Sequence, residues 1–393
     1  MSFKELLDKY NKGNASEEEI KLIEEELDKH EVIEEYLSEG YNIGIEKDSL
    51  QISTNNETIF VKRSVNKKLR KVILTSVASV FLILFATYFI VSPIISSFYY
   101  NPSQKTVSGY HDNFYFDLRV LTELSLPGYA INTAGSEKLG FGVYNIYYER
   151  LNLFNHEIKN INYKIKKNLK GGNFLDFFPS IYIAFIDITQ PDTSRNEFAE
   201  KQNEEVINHI KQLNPVSYVS AYVLLKEDLS VKDFDELKRK YSDKVSFKWV
   251  GVRSESEGKP VEYLSGFNPN FNDGSVAGDS ADKNKYPYLQ LVDYMKDNEN
   301  KIHSISPMIE AYTKHFISLL KYMNDREKAV KALDYNGAKV DYYKNALNYV
   351  EKNGINIYGV LVYSETKELL EFISNEKIDT IQVNSVLPSK YIN

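Results

Sequence analysis

The chain has 393 residues, enough for two or three domains, with 42% apolar and 26% charged residues and a formal net charge of −7. It contains no cysteine, which excludes disulfides, cysteine-ligated zinc or iron–sulfur sites and a cysteine nucleophile. The acidic balance argues against a protein that coats nucleic acid, so we expect no direct nucleic-acid contact. The mean hydropathy of −0.40 is typical of a soluble chain, but it averages over one segment that differs from the rest.

The first 40 residues have the pattern of an N-terminal helical hairpin that forms a cytoplasmic head. A short helix is expected at about 3–10. A second is expected from Ser16, where Ser-x-x-Glu with Glu19 predicts a capping box, to about residue 38. Two such helices are too short to build a core, so their apolar stripe must pack on itself weakly or bind a partner in a groove.

The partner of this head is expected to be basic, such as a DNA-binding protein. Residues 1–50 hold 15 acidic and 6 basic side chains, and charge complementarity guides association. The residues expected at this binding surface are Leu6, Leu7, Tyr10, Ile20, Ile23, Glu24, Leu27, His30, Ile33, Tyr36 and Leu37.

Residues 41–71 are expected to form a linker, extended or briefly helical, that ends in a basic juxtamembrane segment. A membrane span follows it. Residues 72–104 contain no charged side chain. As a helix, residues 72–91 would cover about 30 Å, the thickness of the bilayer hydrocarbon. We expect Pro93 to close or kink this helix and the membrane segment to end near residue 100. The aromatic residues expected in an interfacial belt are Phe98, Tyr99 and Tyr100.

The charges on either side of the span predict its orientation. Six of the ten residues 62–71 are basic, whereas the first charge after the span is Lys105. The positive-inside rule places the N-terminus in the cytoplasm and the chain from about residue 101 outside, as in a single-pass protein of the cell membrane. We expect the basic patch to contact the anionic lipid bilayer. The patch includes Lys67, Lys68, Arg70 and Lys71.

Residues 105–215 are expected to form a strand-rich extracytoplasmic subdomain. Strands are predicted at 114–126, 140–154, 158–165 and 180–189, and an amphipathic helix at 197–213.

The pattern of residues 216–393 predicts an extracytoplasmic α+β domain. The first strand–helix–strand unit is predicted as a strand at 216–225, a helix at 230–241 and a strand at 244–252. The second is predicted as a strand at 355–363, a helix from Ser364 to about 374 and a strand at 379–386. Two helices are expected between these units, one capped by Ser306 and one at about 339–353. The fold class is therefore α+β, with strand–helix–strand units that resemble a ferredoxin-like arrangement.

Motifs for catalysis are missing from the sequence, so no catalytic residue, cofactor or metal site is predicted. The loop 268–284 has asparagines at 268, 270 and 272, as calcium-binding loops do, but its glycine comes one position late. A surface loop is the favoured interpretation.

The order of head, span and outer domain resembles the membrane-bound anti-sigma factors of Gram-positive bacteria. The similarity is to those with sigma-factor-regulator N- and C-terminal domains, the anti-sigma-M type. The residues that carry it are 3–37, 69–85, 125–135 (SLPGYAINTAG) and 349–372 (YVEKNGINIYGVLVYSETKELLEF).

The resemblance implies that the head sequesters an extracytoplasmic-function sigma factor and that the outer domain senses an envelope stress. The zinc-containing heads of related anti-sigma factors require cysteine, so no zinc is expected here. Two other classes stay open: a membrane-anchored envelope sensor or adaptor with a different cytoplasmic partner, and an anchored extracytoplasmic enzyme. A second membrane regulator or a homo-oligomer also remains open.

Overall fold

The structure is a computed structural model. It describes residues 9–10, 15–39, 54–105, 112–167, 169–171, 195–255, 263–271, 282–298, 308–333 and 339–390. The chain divides into two compact units, Met1–Val80 and Phe81–Asn393.

The described part of the first unit is helical. Helix α1, Glu17–Glu39, begins at the predicted capping box. The Glu19 amide donates to Ser16 Oγ at 3.3 Å, and the Ser16 amide donates to Glu19 Oε2 at 3.0 Å. Lys9 and Tyr10 are helical, and the rest of the predicted first helix lies outside the described residues. Helix α2, Thr54–Ala86, starts inside the expected linker and runs unbroken into the apolar segment, so the basic patch is helical.

The apolar helix does not end at Pro93. A π-helical turn, Thr87–Val91, follows α2 and leads into α3, Ser92–Ser97. Proline lacks an N–H and its ring crowds the carbonyl four residues earlier. The wider π turn moves the preceding carbonyls and lets the helix continue. The described residues contain one helix long and apolar enough to cross a membrane, Arg63–Ser97, and none of its most apolar window is buried.

The second unit begins with helix α4, Asn113–Ser125, where the sequence predicted a strand. That prediction rested on the aromatic and β-branched residues of 114–126, and it is wrong. Such residues favour strands largely because they pack well on a half-buried surface. Here ten of the thirteen residues are buried, so packing in the core outweighs strand propensity.

A four-stranded antiparallel sheet follows α4, with the strands in chain order. Strands β2 and β3 lie where strands were predicted, whereas the predicted strand 180–189 lies outside the described residues. The strands are β1 Tyr129–Gly140, β2 Val143–Asn152, β3 Ile158–Lys166 and β4 Leu169–Gly171.

A five-stranded antiparallel sheet forms the rest of the unit, in the order β7-β6-β8-β5-β9. Both predicted strand–helix–strand units are present, and β8 of the second lies between β5 and β6 of the first. The strands are β5 Tyr218–Ser230, β6 Val245–Val252, β7 Gly266–Phe267, β8 Asn356–Glu365 and β9 Ile378–Leu387.

The remaining helices cover this sheet and fill the connection between β7 and β8. They are α5 Arg195–Gln212, α6 Val231–Lys240, α7 Leu291–Asp297, α8 Ile309–Asp325, α9 Glu327–Leu333, α10 Lys339–Asn353 and α11 Thr366–Asn375.

Two of the predicted helix caps are Ser364 and Ser306. The predicted cap Ser364 lies in β8, where its hydroxyl donates to the Lys244 carbonyl, and Glu365 is the cap of α11. The predicted cap Ser306 lies outside the described residues, and α8 follows Met308.

Helix α4 connects the two sheets of the second unit. It packs against β1 of the first sheet and against β7 and α8 of the second layer. The buried residues Phe114, Ile146 and Ile165 thereby join the same apolar cluster as Phe247 and Phe316. The second unit thus has a core shared by both sheets.

Candidate functional site

Helix α1 carries the predicted binding stripe, and its residues differ in exposure. Ile23 is completely buried and Ile20 is half-buried. Leu27 and Ile33 are 48% and 53% exposed, and His30 is exposed beside them. The N-terminal half of the stripe is therefore covered, whereas the C-terminal half offers apolar side chains to a partner.

The other predicted residues of this surface are only partly placed. Tyr10 is exposed and Glu24 is exposed. Lys9 forms an ion pair of 2.9 Å with Glu19. The hydrogen bond from the Ser16 amide and the bond from Lys9 together lower the pKa of Glu19, so this first turn stays negative. Leu6 and Leu7 lie outside the described residues, as do the side chains of Tyr36 and Leu37 on α1.

The basic patch before the apolar segment lies along α2. Lys67, Lys68, Arg70 and Lys71 are all exposed there. Because they are on one helix with the apolar residues that follow, their distance from the apolar segment is fixed at about 1.5 Å per residue.

The C-terminal end of the apolar helix is held by the β1–β2 hairpin, a contact that sequence reasoning missed. The Phe141 amide donates to Ser92 Oγ at 2.8 Å and the Gly142 amide to Ser96 Oγ at 3.0 Å. Both serines are buried. The one signal in the sequence was their spacing of four residues, which places two hydroxyls on one face of an otherwise apolar helix.

Tyr100 is not part of an interfacial belt, contrary to the prediction. It is 2% exposed, and its hydroxyl donates to Asp117 Oδ2 at 2.7 Å. Phe98 is 70% exposed and Tyr99 is half-buried. The aromatic run therefore divides into a residue that faces outward and one that enters the core of the second unit.

Asp117 is the centre of a buried ionic cluster. Arg326 donates Nε and Nη2 to its two oxygens, both at 2.7 Å, and the Tyr322 hydroxyl donates at 2.8 Å. Burial alone would lower the pKa of Arg326, but the charge and hydrogen bonds of Asp117 outweigh burial and raise it. Burial and the negative charge of Asp117 raise the pKa of Tyr322. Each oxygen of Asp117 therefore accepts one hydrogen bond from the guanidinium and one from a tyrosine hydroxyl.

A second buried pair joins Glu123 of α4 to His315 of α8. His315 Nε2 lies 2.8 Å from Glu123 Oε1, and its Nδ1 lies 2.7 Å from the Tyr288 carbonyl. Burial would raise the pKa of Glu123, but the charge and hydrogen bond of His315, with Arg119 nearby, lower it overall. Since both ring nitrogens are occupied, the pair has the features of a structural contact rather than of an acid–base centre with room for substrate.

Among the described residues of the second unit are two cavities with polar linings. One, of about 540 Å³, is next to the end of the apolar helix and is lined by Ser96, Tyr99 and Arg326 among others. The other, of about 440 Å³, is at an irregularity of β5, where Asp228 and Arg253 form a bidentate ion pair at 2.5 and 2.8 Å. Either could admit a small polar ligand.

Among the residues that the structure describes, no group of three or more His, Asp or Glu side chains could hold a metal ion. In the loop considered for calcium, Asn270 donates to the Phe247 carbonyl and Asn268 accepts from the Asn270 amide. These two asparagines form a turn, and residues 272–281 of the loop lie outside the described part.

Comparison with known proteins finds similarity to a class of regulators. Residues 210–385, which contain the five-stranded sheet, match the family described as Sigma factor regulator C-terminal. The chain is also 22% identical over 403 residues to the "Probable anti-sigma-M factor YhdL" of Bacillus subtilis (strain 168), covering 98% of this chain and 97% of that protein. No solved structure matches the chain.

Residues 210–385 therefore match the sigma factor regulators. Over its whole length the chain is similar to an anti-sigma-M factor, and the two findings support an anti-sigma factor of the Gram-positive type, as the resemblance in the sequence implied.

Proposed function

We propose that this protein is a membrane-anchored anti-sigma factor that sequesters an extracytoplasmic-function sigma factor through α1. The observation that carries the proposal is the exposed apolar face of α1 within an acidic segment, on a chain similar in its full length to an anti-sigma-M factor. An amphipathic helix that binds a groove on a basic partner would cover the surface that a sigma factor offers to RNA polymerase or DNA.

The proposed orientation places α1 in the cytoplasm and the two sheets outside. Support comes from the exposed basic residues on α2 and the uncharged segment after them. The outer unit would sense an envelope signal, and its two polar cavities are the places where a small ligand could act.

For the fold, we propose that the second unit contains a ferredoxin-like core. The order β6-β8-β5-β9 with antiparallel neighbours supports this, with α7–α10 inserted between the second and third strands of the core.

Substitution of the exposed half of the stripe tests sigma-factor binding. We expect Leu27→Asp with Ile33→Asp to reduce affinity for the sigma factor at least 100-fold, on the order of 3 kcal/mol. Each side chain is about half exposed, so its burial supplies on the order of 1 kcal/mol, and a buried unpaired aspartate costs more than that. Binding of the purified full-length protein to the sigma factor, measured by titration, checks this.

The matched control for this experiment is Val32→Asp. Val32 is 64% exposed and lies on the side of α1 opposite Ile23, so the same type of change falls outside the stripe. Ile23 itself is unsuitable because it is buried and its substitution would disturb the head. Equal binding by the double variant and the control would contradict the assignment of this face. Recovery of a different protein with the full-length chain, lost in the double variant, would favour the adaptor class.

A further inference from the structure

The β1–β2 turn is fixed against the outer end of the apolar helix. Gly140, Phe141 and Gly142 all have positive φ, at 94°, 53° and 73°, which turns their amides toward the helix. A side-chain carbon at position 140 would lie 3.2 Å from Ser92 Oγ, so the turn also needs glycine for close approach. The two amide-to-serine hydrogen bonds then hold the turn at the level of Ser92–Ser96.

That level coincides with the outer limit of the apolar segment. Ser92 directly follows Val91, the last residue of the uninterrupted apolar run. On the helix faces away from the turn, Val91, Ile94 and Phe98 are 42%, 55% and 70% exposed. Exposed apolar residues thus continue along the helix for the whole length of its contact with the turn. If the helix spans a bilayer, the turn lies at the boundary between hydrocarbon and headgroups.

The surface around the turn has the chemistry of a membrane-contact site. Leu139, directly before it, is 39% exposed, and Phe141 is half-buried. Residues 137–144 and 164–167 contain four lysines and one glutamate, a net charge of 4 − 1 = +3. Lys166 pairs with Val143 in the ladder, and the Lys167 amide donates to the Gly142 carbonyl at 2.9 Å, so the β3 lysines reach the same end of the sheet.

We propose that the β1–β2 turn docks into the headgroup region of the membrane that the apolar helix spans, with Leu139 and Phe141 at the acyl boundary and the neighbouring lysines on anionic phosphates. Aliphatic and aromatic side chains beside basic ones are what such an interface binds. The inference rests on the proposed membrane span. It adds the β1–β2 turn as a second attachment to the membrane, and two hydrogen bonds hold this turn to the apolar helix.

Depth measurement on the full-length protein tests the proposal, and the absence of native cysteine makes single labelling sites simple to build. Nitroxide labels would be placed at Leu139→Cys, at Ile158→Cys and at Leu82→Cys, in vesicles with and without anionic phospholipid. Ile158 is the matched control: it is aliphatic, 49% exposed, and pairs with Leu151 near the far end of β2. Leu82 reports the span itself.

We expect the labels at 82 and 139 to collide more with oxygen than with a water-soluble nickel complex, and the label at 158 to show the reverse. The label at 139 should lie deeper in anionic than in zwitterionic vesicles. The triple variant Lys138→Glu, Lys166→Glu and Lys167→Glu should remove that difference.

A label at 139 that behaves like the one at 158, while the label at 82 is buried in lipid, would overturn the docking alone. Spin–spin broadening at 139 would overturn it in favour of a second copy. A water-exposed label at 82 would overturn the span and the docking together.

Discussion

At the scale of single residues, the Glu123–His315 pair makes one contribution to the stability of the second unit depend on pH. Glu123 has its pKa lowered in the folded chain, below the ordinary value of 4.5. A carboxyl group with a lowered folded pKa contributes stability above its unfolded pKa and loses it as the pH falls through the folded pKa. Its contribution is thus present at neutral pH, begins to decline near the ordinary pKa of 4.5, and is lost as the pH falls through the lower folded pKa.

We expect Glu123→Gln to lower the free energy of unfolding at neutral pH and to have less effect as the medium becomes more acidic than pH 4.5. The measurement is urea unfolding over a series of pH values, followed by the fluorescence of Trp249. This residue is the chain's only tryptophan and is buried, with its Nε1 donating to the Glu123 carbonyl. A difference between the two proteins that stays constant with pH would contradict the assignment.

Local contacts between residues were predictable, and distant ones were not. The capping box of Ser16 and Glu19 could be read from the sequence because both partners lie within one turn. Tyr100 was misassigned because its partner Asp117 belongs to a helix predicted as a strand, and Arg326 lies 209 residues beyond Asp117. Periodicity in the sequence does not indicate a pairing between residues so far apart in the chain.

At the scale of secondary-structure elements, the Asp117 cluster joins the segment after the apolar helix to α4 and to the end of α8. Asp117 is completely buried and accepts from Arg326, Tyr322 and Tyr100. Removing one partner leaves the other charge buried without compensation, which costs about 3–5 kcal/mol, whereas replacing both by apolar residues is often close to neutral.

We therefore expect Asp117→Ala to lower the free energy of unfolding by about 3–5 kcal/mol. The double variant Asp117→Leu with Arg326→Met should lose much less. Denaturant unfolding of both full-length variants in the same detergent gives the comparison. A double variant no more stable than Asp117→Ala would show that the cost comes from lost packing rather than from the unpaired arginine.

Elements with a clear period were predictable, and two of those that were not predicted have definite causes. Helices α5, α6 and α10 lie within two residues of their predicted ends, because each has a polar and an apolar face. Helix α4 has no polar face to reveal its period, since almost all of it is buried. The π turn before Pro93 depends on how the backbone adapts to a missing N–H, which a hydropathy pattern does not record.

At the scale of the whole molecule, the long apolar helix and the mixed helix and sheet content of the chain after it could be predicted, because the two parts differ in composition. The contact between the second unit's first sheet and the end of this helix could not, since it depends on a turn that approaches two serines from 46 or more residues away in the chain. The apolar stripe of α1 was predicted as a set, but its division into covered and exposed halves depends on tertiary packing.

Orientation is the prediction that belongs to the whole molecule. We expect Ile158→Cys to react with a membrane-impermeant maleimide on intact protoplasts, and Ser64→Cys to react only after permeabilisation. The reason is that the proposed orientation places the basic residues of α2 on the cytoplasmic side. Both positions are exposed, so access to the reagent depends on the membrane. The reverse labelling pattern would place α1 outside and exclude a cytoplasmic sigma factor as its partner.

The unbroken length of α2 has a mechanical consequence. From Thr54 to Ala86 it has 33 residues, which makes a rod of about 50 Å. A rod of that length converts a rotation into a displacement: a change of about 5° about its C-terminal end moves its N-terminal end by about 4 Å. The C-terminal end, at Ala86, is followed by the π-helical turn and then by Ser92 and Ser96, which accept the two hydrogen bonds of the β1–β2 turn. The leverage of a helix therefore increases with its unbroken length.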